Sequence, residues 1–147
     1  MSELKIQFKI VTPERLAYES EIDQVTLPIK GGQVTILPNH CSYIGALQPG
    51  EIMIKNGNEE IHLALSGGFV EFANNSLIVL ADTAERAEEI DIARAEAART
   101  RAEELKKQKL TMNELEYARV AAAIEKETSR LRVARKSHHN THQIKID

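Results

Sequence analysis

Tryptophan is absent from this chain of 147 residues, aromatic residues make up only 4% of it, and there is a single cysteine. With so few rings, any core has to be assembled from Ile, Leu, Val and Ala, and such a core is modest. One thiol excludes an intrachain disulfide and a cysteine-built zinc cage. Cys41 is expected instead as a small buried hydrophobe. No run of about 18 apolar residues is present to span a bilayer. The stretch MSELKIQFKI alternates polar and apolar residues where a secretory leader would carry a solid apolar block. The expected setting is therefore the cytosol, with any membrane reached only through partners. Enzyme motifs are missing too: there is no Walker-type glycine-rich loop, no Gly-x-Ser-x-Gly elbow and no His-Glu-x-x-His.

Charge is present but unevenly placed. The net charge of -3 conceals two unlike regions: residues 1–90 hold 6 Lys and Arg against 13 Asp and Glu, whereas residues 91–136 hold 12 against 8. Such asymmetry suggests that each half meets a different partner. A basic region laced with that many acids is a poor nucleic-acid binder.

Up to about Asp82 the pattern is that of short strands. Leu4, Ile6, Phe8 and Ile10 alternate with polar residues until Pro13, and the rhythm returns at Val25, Leu27 and Ile29 before Gly31-Gly32. It recurs at Ile52 and Ile54, then, after the hairpin signal Asn56-Gly57, at Ile61, Leu63 and Leu65. Phe69–Phe72 and Leu77–Leu80 follow, separated by Ala73-Asn74-Asn75-Ser76. Strands spaced about 8 to 12 residues apart point to a sandwich or barrel. From Ala81 the composition turns to Ala, Glu, Arg and Lys without Gly or Pro. Ile92, Ala95, Ala98, Ala102 and Leu105 then recur at helical spacing. Thr111-Met112-Asn113-Glu114 reads as a capping box opening a second helix, whose stripe is Tyr117, Val120, Ile124, Thr128, Leu131 and Ala134. The fold class is α+β: a β-domain over residues 1–86, an antiparallel helical hairpin over 87–136 and a flexible polar tail over 137–147. Because the hairpin seam is mostly alanine, its release from a docking surface should cost little.

Candidate chemistry is sparse. Ser66-Gly67-Gly68-Phe69 reads as a tight bend where backbones approach closely, not as a nucleophile elbow, and His40 as a hydrogen-bonded loop histidine. His138, His139 and His142 lack the oriented geometry of a metal site, so no metal is expected. A turn near residues 110–113 sets Arg94 level with Arg130 and Arg101 level with Lys126. Four converging cations either splay into solvent, pair with Asp91 and nearby glutamates, or hold an anion.

Several segments together resemble the epsilon subunit of bacterial F-type ATP synthase, called delta in mitochondria. They are Val11-Thr12-Pro13, Ile36-Leu37-Pro38-Asn39-His40, Ser66–Phe69, Ala84–Glu88, Ile90–Ala95 and Arg130–Ala134. Their order and spacing carry the resemblance over almost the whole chain. It implies a ten-stranded β-sandwich followed by the hairpin, in a non-catalytic rotor subunit. The sandwich would clamp the gamma subunit and sit on the c-ring, through a region that includes Gln33, Pro38 and His40. The hairpin would fold down on the sandwich or extend toward an acidic loop of the catalytic beta subunit and oppose ATP hydrolysis. Localisation would be peripheral, at the cytoplasmic face of the bacterial plasma membrane, with no nucleic acid partner and no required cofactor. Ile90-Asp91-Ile92-Ala93-Arg94-Ala95 matches the family's ATP-binding motif, and the further contacts carry over to Glu85, Arg101, Lys126 and Arg130. Lys126 replaces an arginine, keeping the charge and losing the planar fork. Gln33 replaces a family carboxylate, and Asn39 a glycine whose left-handed backbone Asn tolerates. A free-standing ATP sensor is the alternative from another class. A small hydrolase built on His40 lacks a visible base and nucleophile pair.

Overall fold

A computed structural model describes residues 4–108 and 112–143, with side chains described as far as Ser137. Eight strands lead into two helices: β1 (Ile6–Val11), β2 (Leu16–Ile22), β3 (Gln24–Ile29), β4 (Gly32–Ile36), β5 (Tyr43–Asn56), β6 (Glu59–Ala73), β7 (Ser76–Ala81) and β8 (Ala84–Arg86). A short 3₁₀ turn, Ala87–Glu89, precedes α1 (Ile92–Lys107) and α2 (Glu114–Gln143). Alternation does what it dictates: Ile6, Phe8 and Ile10 of β1, and Leu77 and Val79 of β7, all lie in the core.

The count of eight differs from the ten strands expected, and the reason is the length of β5 and β6. These two strands pair with each other antiparallel from Tyr43↔Phe72 to Asn56↔Glu59, and each bends so that its halves belong to different layers. One layer reads β2, β1, β7, the second half of β6 and the first half of β5. The other reads β4, β3, the second half of β5, the first half of β6 and β8. Counting each half separately recovers the sandwich. Between the layers pack Phe8, Phe72, Ile22, Leu27, Ile36, Ile52, Ile54 and Leu63, all essentially without exposure.

The turns follow from residue chemistry. Asn74 and Asn75 both adopt positive φ, 52° and 57°, as a type I′ hairpin turn needs, and Ala73 pairs with Ser76 across it. Gly57 (φ 62°) heads the β5–β6 turn, and its N–H donates to the Asp23 carboxylate at 2.5 Å. That bond, with Lys5, holds Asp23 below the ordinary carboxylate range. The bend in β6 is at Gly67 and Gly68, with φ of 109° and 139°. A Cβ on Gly68 would overlap the Leu80 carbonyl oxygen. Ser66-Gly67-Gly68 is thus the close backbone approach that its sequence suggests.

The helices are capped locally. Asp91 accepts from the Arg94 N–H at 3.0 Å and starts α1. At α2 the reciprocal box is Asn113 with Glu116: Asn113 Oδ1 accepts from Glu116 N at 2.8 Å, and Glu116 Oε2 accepts from Asn113 N at 3.2 Å. The cap therefore falls two residues after the one expected, and Thr111 lies outside the described residues. Helix α2 also continues to Gln143, past the Lys136 boundary, because nothing between them breaks a helix. Residues 144–147 lie outside the described residues.

Two burial expectations fail. Cys41 is exposed, because it sits in the β4–β5 connection and not on an inward strand face. Leu105 is exposed as well, while Ala95 and Ala102 of the same stripe are buried.

Gly68→Ala should destabilise the chain by about 3 kcal/mol, since it combines a positive φ with a backbone overlap. Urea unfolding checks this. An Ala at Gly32, which has open space and ordinary φ, should change stability by less than about 1 kcal/mol.

Candidate functional site

The hairpin lies on the sandwich along α2, which meets β5, β6 and the 3₁₀ turn. The apolar contact is small: Leu131, Val133 and Ala134 of α2 pack with Ala64 of β6, Ala87, Ile90 and Ala95. Four of those seven residues are alanines. Full burial of a Leu, Ile or Val side chain is worth about 1.5–3 kcal/mol, and an alanine methyl only about 0.8. Docking therefore rests on a few kcal/mol of apolar burial and needs polar help.

That help is concentrated on Arg130. Its Nε and Nη2 donate to the two carboxylate oxygens of Glu85 on β8 at 2.5 and 3.0 Å, a two-pronged contact between helix and sandwich. Its Nη1 donates to Glu127 at 2.7 Å, one helical turn away. All three guanidinium nitrogens are thus engaged by carboxylates. Burial works against the charge on Arg130, but the bonds to Glu85 and Glu127 outweigh it and raise the pKa above the ordinary arginine value. Farther along α2, Lys136 Nζ reaches Glu51 at 2.6 Å, and Glu51 also contacts His62 Nδ1 at 2.5 Å. Arg135 pairs with Glu96 of α1 at 2.7 Å. Lys136 and Arg135 are exposed, so each of these two pairs between elements is worth about 1 kcal/mol or less.

Between α1, α2 and β8 lies a cavity of about 330 Å³. Arg94, Ala98 and Arg101 form its α1 wall, Lys126, Glu127 and Arg130 its α2 wall, and Thr83 and Glu85 its floor. The four cations that sequence sets level across the hairpin, Arg94, Arg101, Lys126 and Arg130, therefore line one cavity. Four cations face two carboxylates, leaving the walls at +2. Among the described residues, Arg94, Arg101 and Lys126 have no salt bridge. The excess of positive charge on the walls suits the cavity to a polyanion.

Not every expected residue is there. Asp91 does not line the cavity, since its carboxylate is spent on the α1 cap. Two lining residues, Thr83 and Glu127, were not singled out from sequence. Glu127 had a signal, three positions before Arg130 on a helix. Thr83 had none, because its position depends on a hydroxyl contact to Ser66 across the β6 bend at 2.7 Å.

Gln33, Pro38 and His40 do not line the cavity. Gln33 is exposed on β4 opposite Pro28, and Pro38 and His40 are half-buried in the β4–β5 connection. The His40 ring meets Phe72 edge-on at 5.9 Å, and its Nδ1 lies 2.7 Å from the Cys41 carbonyl. Asn39 holds φ 64°, and its N–H donates to Asn75 Oδ1 at 2.6 Å. Asparagine thus takes the left-handed turn as expected. Among the described residues no group of His, Cys, Asp and Glu could hold a metal ion. The side chains of His138, His139 and His142 lie outside the described residues.

The sandwich also carries an outward apolar face that sequence reading passed over. Ala46, Phe69, Leu80 and Val11 form one row across β5, β6, β7 and β1. Ile44 lies in the next row and Leu16 beside Val11 on β2. Phe69 is 63% exposed, Leu80 56% and Ile44 77%. The unbroken apolar run Leu77–Leu80 was the signal, since a strand with one wet face alternates.

Comparison with known proteins agrees with this architecture. Residues 5–87 match the family described as ATP synthase, Delta/Epsilon chain, beta-sandwich domain, and residues 88–135 match ATP synthase, Delta/Epsilon chain, long alpha-helix domain. The chain is 45% identical over 132 residues to an ATP synthase epsilon chain of Dehalococcoides mccartyi, covering 90% of this chain and 94% of that one. It is 44% identical over 133 residues to one of Herpetosiphon aurantiacus, covering 90% and 96%. A chain of the Euglena gracilis mitochondrial ATP synthase superposes with a TM-score of 0.72 at 18% identity, covering 84% of this chain and 77% of that one, a likeness of fold.

Arg130→Ala should loosen the hairpin by about 1–3 kcal/mol, because it leaves Glu85 and Glu127 facing each other without a cation. Amide exchange along α2 should then quicken by about tenfold or more, while β1 and β7 amides keep their protection.

Proposed function

The chain belongs to the ATP synthase delta/epsilon family, and we propose that it serves as a non-catalytic central-stalk subunit whose hairpin is a movable, ATP-sensing brake. The sandwich is the fixed part. Its outward face, Ile44, Phe69 and Leu80, is apolar enough to bury against the gamma subunit. The region that includes Gln33, Pro38 and His40 is the contact with the c-ring. Among the described residues no helix is long and apolar enough to cross a membrane. Attachment to the cytoplasmic side of the bacterial plasma membrane runs through those partners.

The hairpin is the moving part. Docked, it hides part of its basic surface against Glu85 and Glu51. Released, it carries the cations of α1 and α2 along gamma toward an acidic loop of the catalytic beta subunit, where charge complementarity favours capture and hydrolysis is opposed. The single observation that carries this reading is the cavity in which Arg94, Arg101 and Lys126 converge unpaired, because it exists only while the hairpin is down. A ligand that binds one conformation shifts the balance by its differential affinity. At 100 times its Kd, ATP would add about 2.7 kcal/mol to docking, comparable to the apolar contact itself.

Three measurements test this. Calorimetric titration of the chain with ATP should show saturable binding that the Arg94→Ala, Arg130→Ala double variant weakens by more than about tenfold; equal heats for the two would remove the cavity as an ATP site. Replacing Phe69 and Leu80 by serine should weaken capture of the same organism's gamma subunit by more than about tenfold without unfolding the sandwich, since both side chains are exposed. Full capture by that variant, or a hydrolysis rate of the catalytic complex that does not respond to the wild-type chain, would sink the rotor-brake role.

A further inference from the structure

The Arg130 clamp raises a question that the nucleotide reading leaves open: what occupies this guanidinium before an anion arrives? Glu85 takes the side fork, Nε and Nη2, and does so from the sandwich, so it serves docking. Glu127 serves no such purpose. It lies on the same helix as Arg130, and its side chain, 13% exposed, turns into the cavity to accept from Nη1 at 2.7 Å. A carboxylate there presents to Arg130 the same kind of oxygen that a phosphate would. It also subtracts one charge from the walls that face the ligand.

We propose that Glu127 is an internal competitor for the anion: it holds the outer donor of Arg130 in the empty cavity and sets the affinity for a phosphate-bearing ligand by having to be displaced or electrostatically overcome. The inference rests on the anion-binding reading of the cavity. It adds to that reading a residue with the opposite sign of effect, for Arg94, Arg101, Lys126 and Arg130 attract the ligand and Glu127 repels it. Glu127 acts through Arg130, by competing for its outer donor. A merely structural Glu127, one that aims Arg130 at the ligand, would give the reverse result on removal.

The probes are ATP and inorganic tripolyphosphate, titrated into the full chain. Glu127→Gln should bind both more tightly, by roughly two- to fivefold, the effect of releasing one partly exposed ion pair. Glu127→Ala, which keeps the helix strong, should tighten binding in the same direction and guards against a glutamine that finds a new contact. Glu125→Gln, an equal charge change on an exposed position of α2 outside the cavity, should leave affinity within about 1.5-fold of wild type. In the ligand-free chain, side-chain NMR of Arg130 should show slowed rotation about the bond to Nη1 that is lost in Glu127→Gln and kept in Glu125→Gln. Unchanged or weaker binding by both Glu127 variants, equal tightening by Glu125→Gln, or an Arg130 signal indifferent to Glu127 would each overturn the competitor role while leaving the site standing. Absence of saturable binding by wild type and variants alike would instead remove the anion site, and the competitor role with it.

Discussion

The bend of β6 at Gly67 and Gly68 is the constraint on which both candidate surfaces depend. Before the bend, residues Leu63–Leu65 pair with β8 and so hold Glu85 where α2 can reach it. After the bend, Phe69 faces outward in a row with Leu80 and Val11. One strand therefore supports the hairpin dock with one half and the apolar face with the other. The backbone overlap that any Cβ at Gly68 would suffer shows how closely β6 and β7 must approach for this to work. Without that approach the two halves would share one flat sheet, and the layers that enclose Phe8, Phe72 and Ile54 would not close.

The docked hairpin is held in a different way from the sandwich. The sandwich core joins Ile, Leu, Val and Phe residues from seven of the eight strands and from β8's Ala84. The hairpin contact has Leu131, Val133 and Ile90 among alanines. Ion pairs make up the difference, and only Arg130–Glu85–Glu127 is sheltered enough to count for much; Arg135–Glu96 and Lys136–Glu51 have at least one strongly exposed member. An element fixed by few apolar contacts and one sheltered charge cluster lies at the low-stability end of a fold, where moving parts are found.

Much of this was legible in the sequence, and the failures are informative. Period-2 runs and Asn-Gly or Asn-Asn turns located β1, β3, β7, much of β6 and the second half of β5, because their causes are local; β2, β4, β8 and the first half of β5 carry no such run and were not singled out. The family resemblance, carried by spaced segments, assigned the architecture and the family. Level pairing across the hairpin brought Arg94, Arg101, Lys126 and Arg130 to one cavity, since two antiparallel helices leave little freedom. What local reasoning missed depends on long-range packing. Asp91 looks like a ligand contact and caps α1 outside the cavity; Cys41 looks like a core residue and lies on an exposed connection; Thr83 reaches the cavity from just before β8, where backbone and hydroxyl bonds tie it to Ser66. The outward row of Phe69 and Leu80 was hidden because a strand apolar on both faces reads like a strand buried in a core.

An anion bound in this cavity would not be separable from docking, because Arg130 lines the cavity and also joins the hairpin to the sandwich. Its walls come from α1, α2 and β8, so undocking removes the Glu85 floor and with it the enclosure. Any anion that prefers the enclosed site must then stabilise the docked hairpin, and docking must raise the anion's affinity by the same factor. The sign of this coupling follows from geometry alone and does not depend on how tightly the ligand binds. Its size does depend on charge: each carboxylate that Arg130 keeps lowers the gain from an arriving phosphate, while Glu85 strengthens the dock that makes the site. Glu85 and Glu127 contact one guanidinium from opposite sides of that balance, one joining the hairpin to the sandwich and the other joining it only to itself.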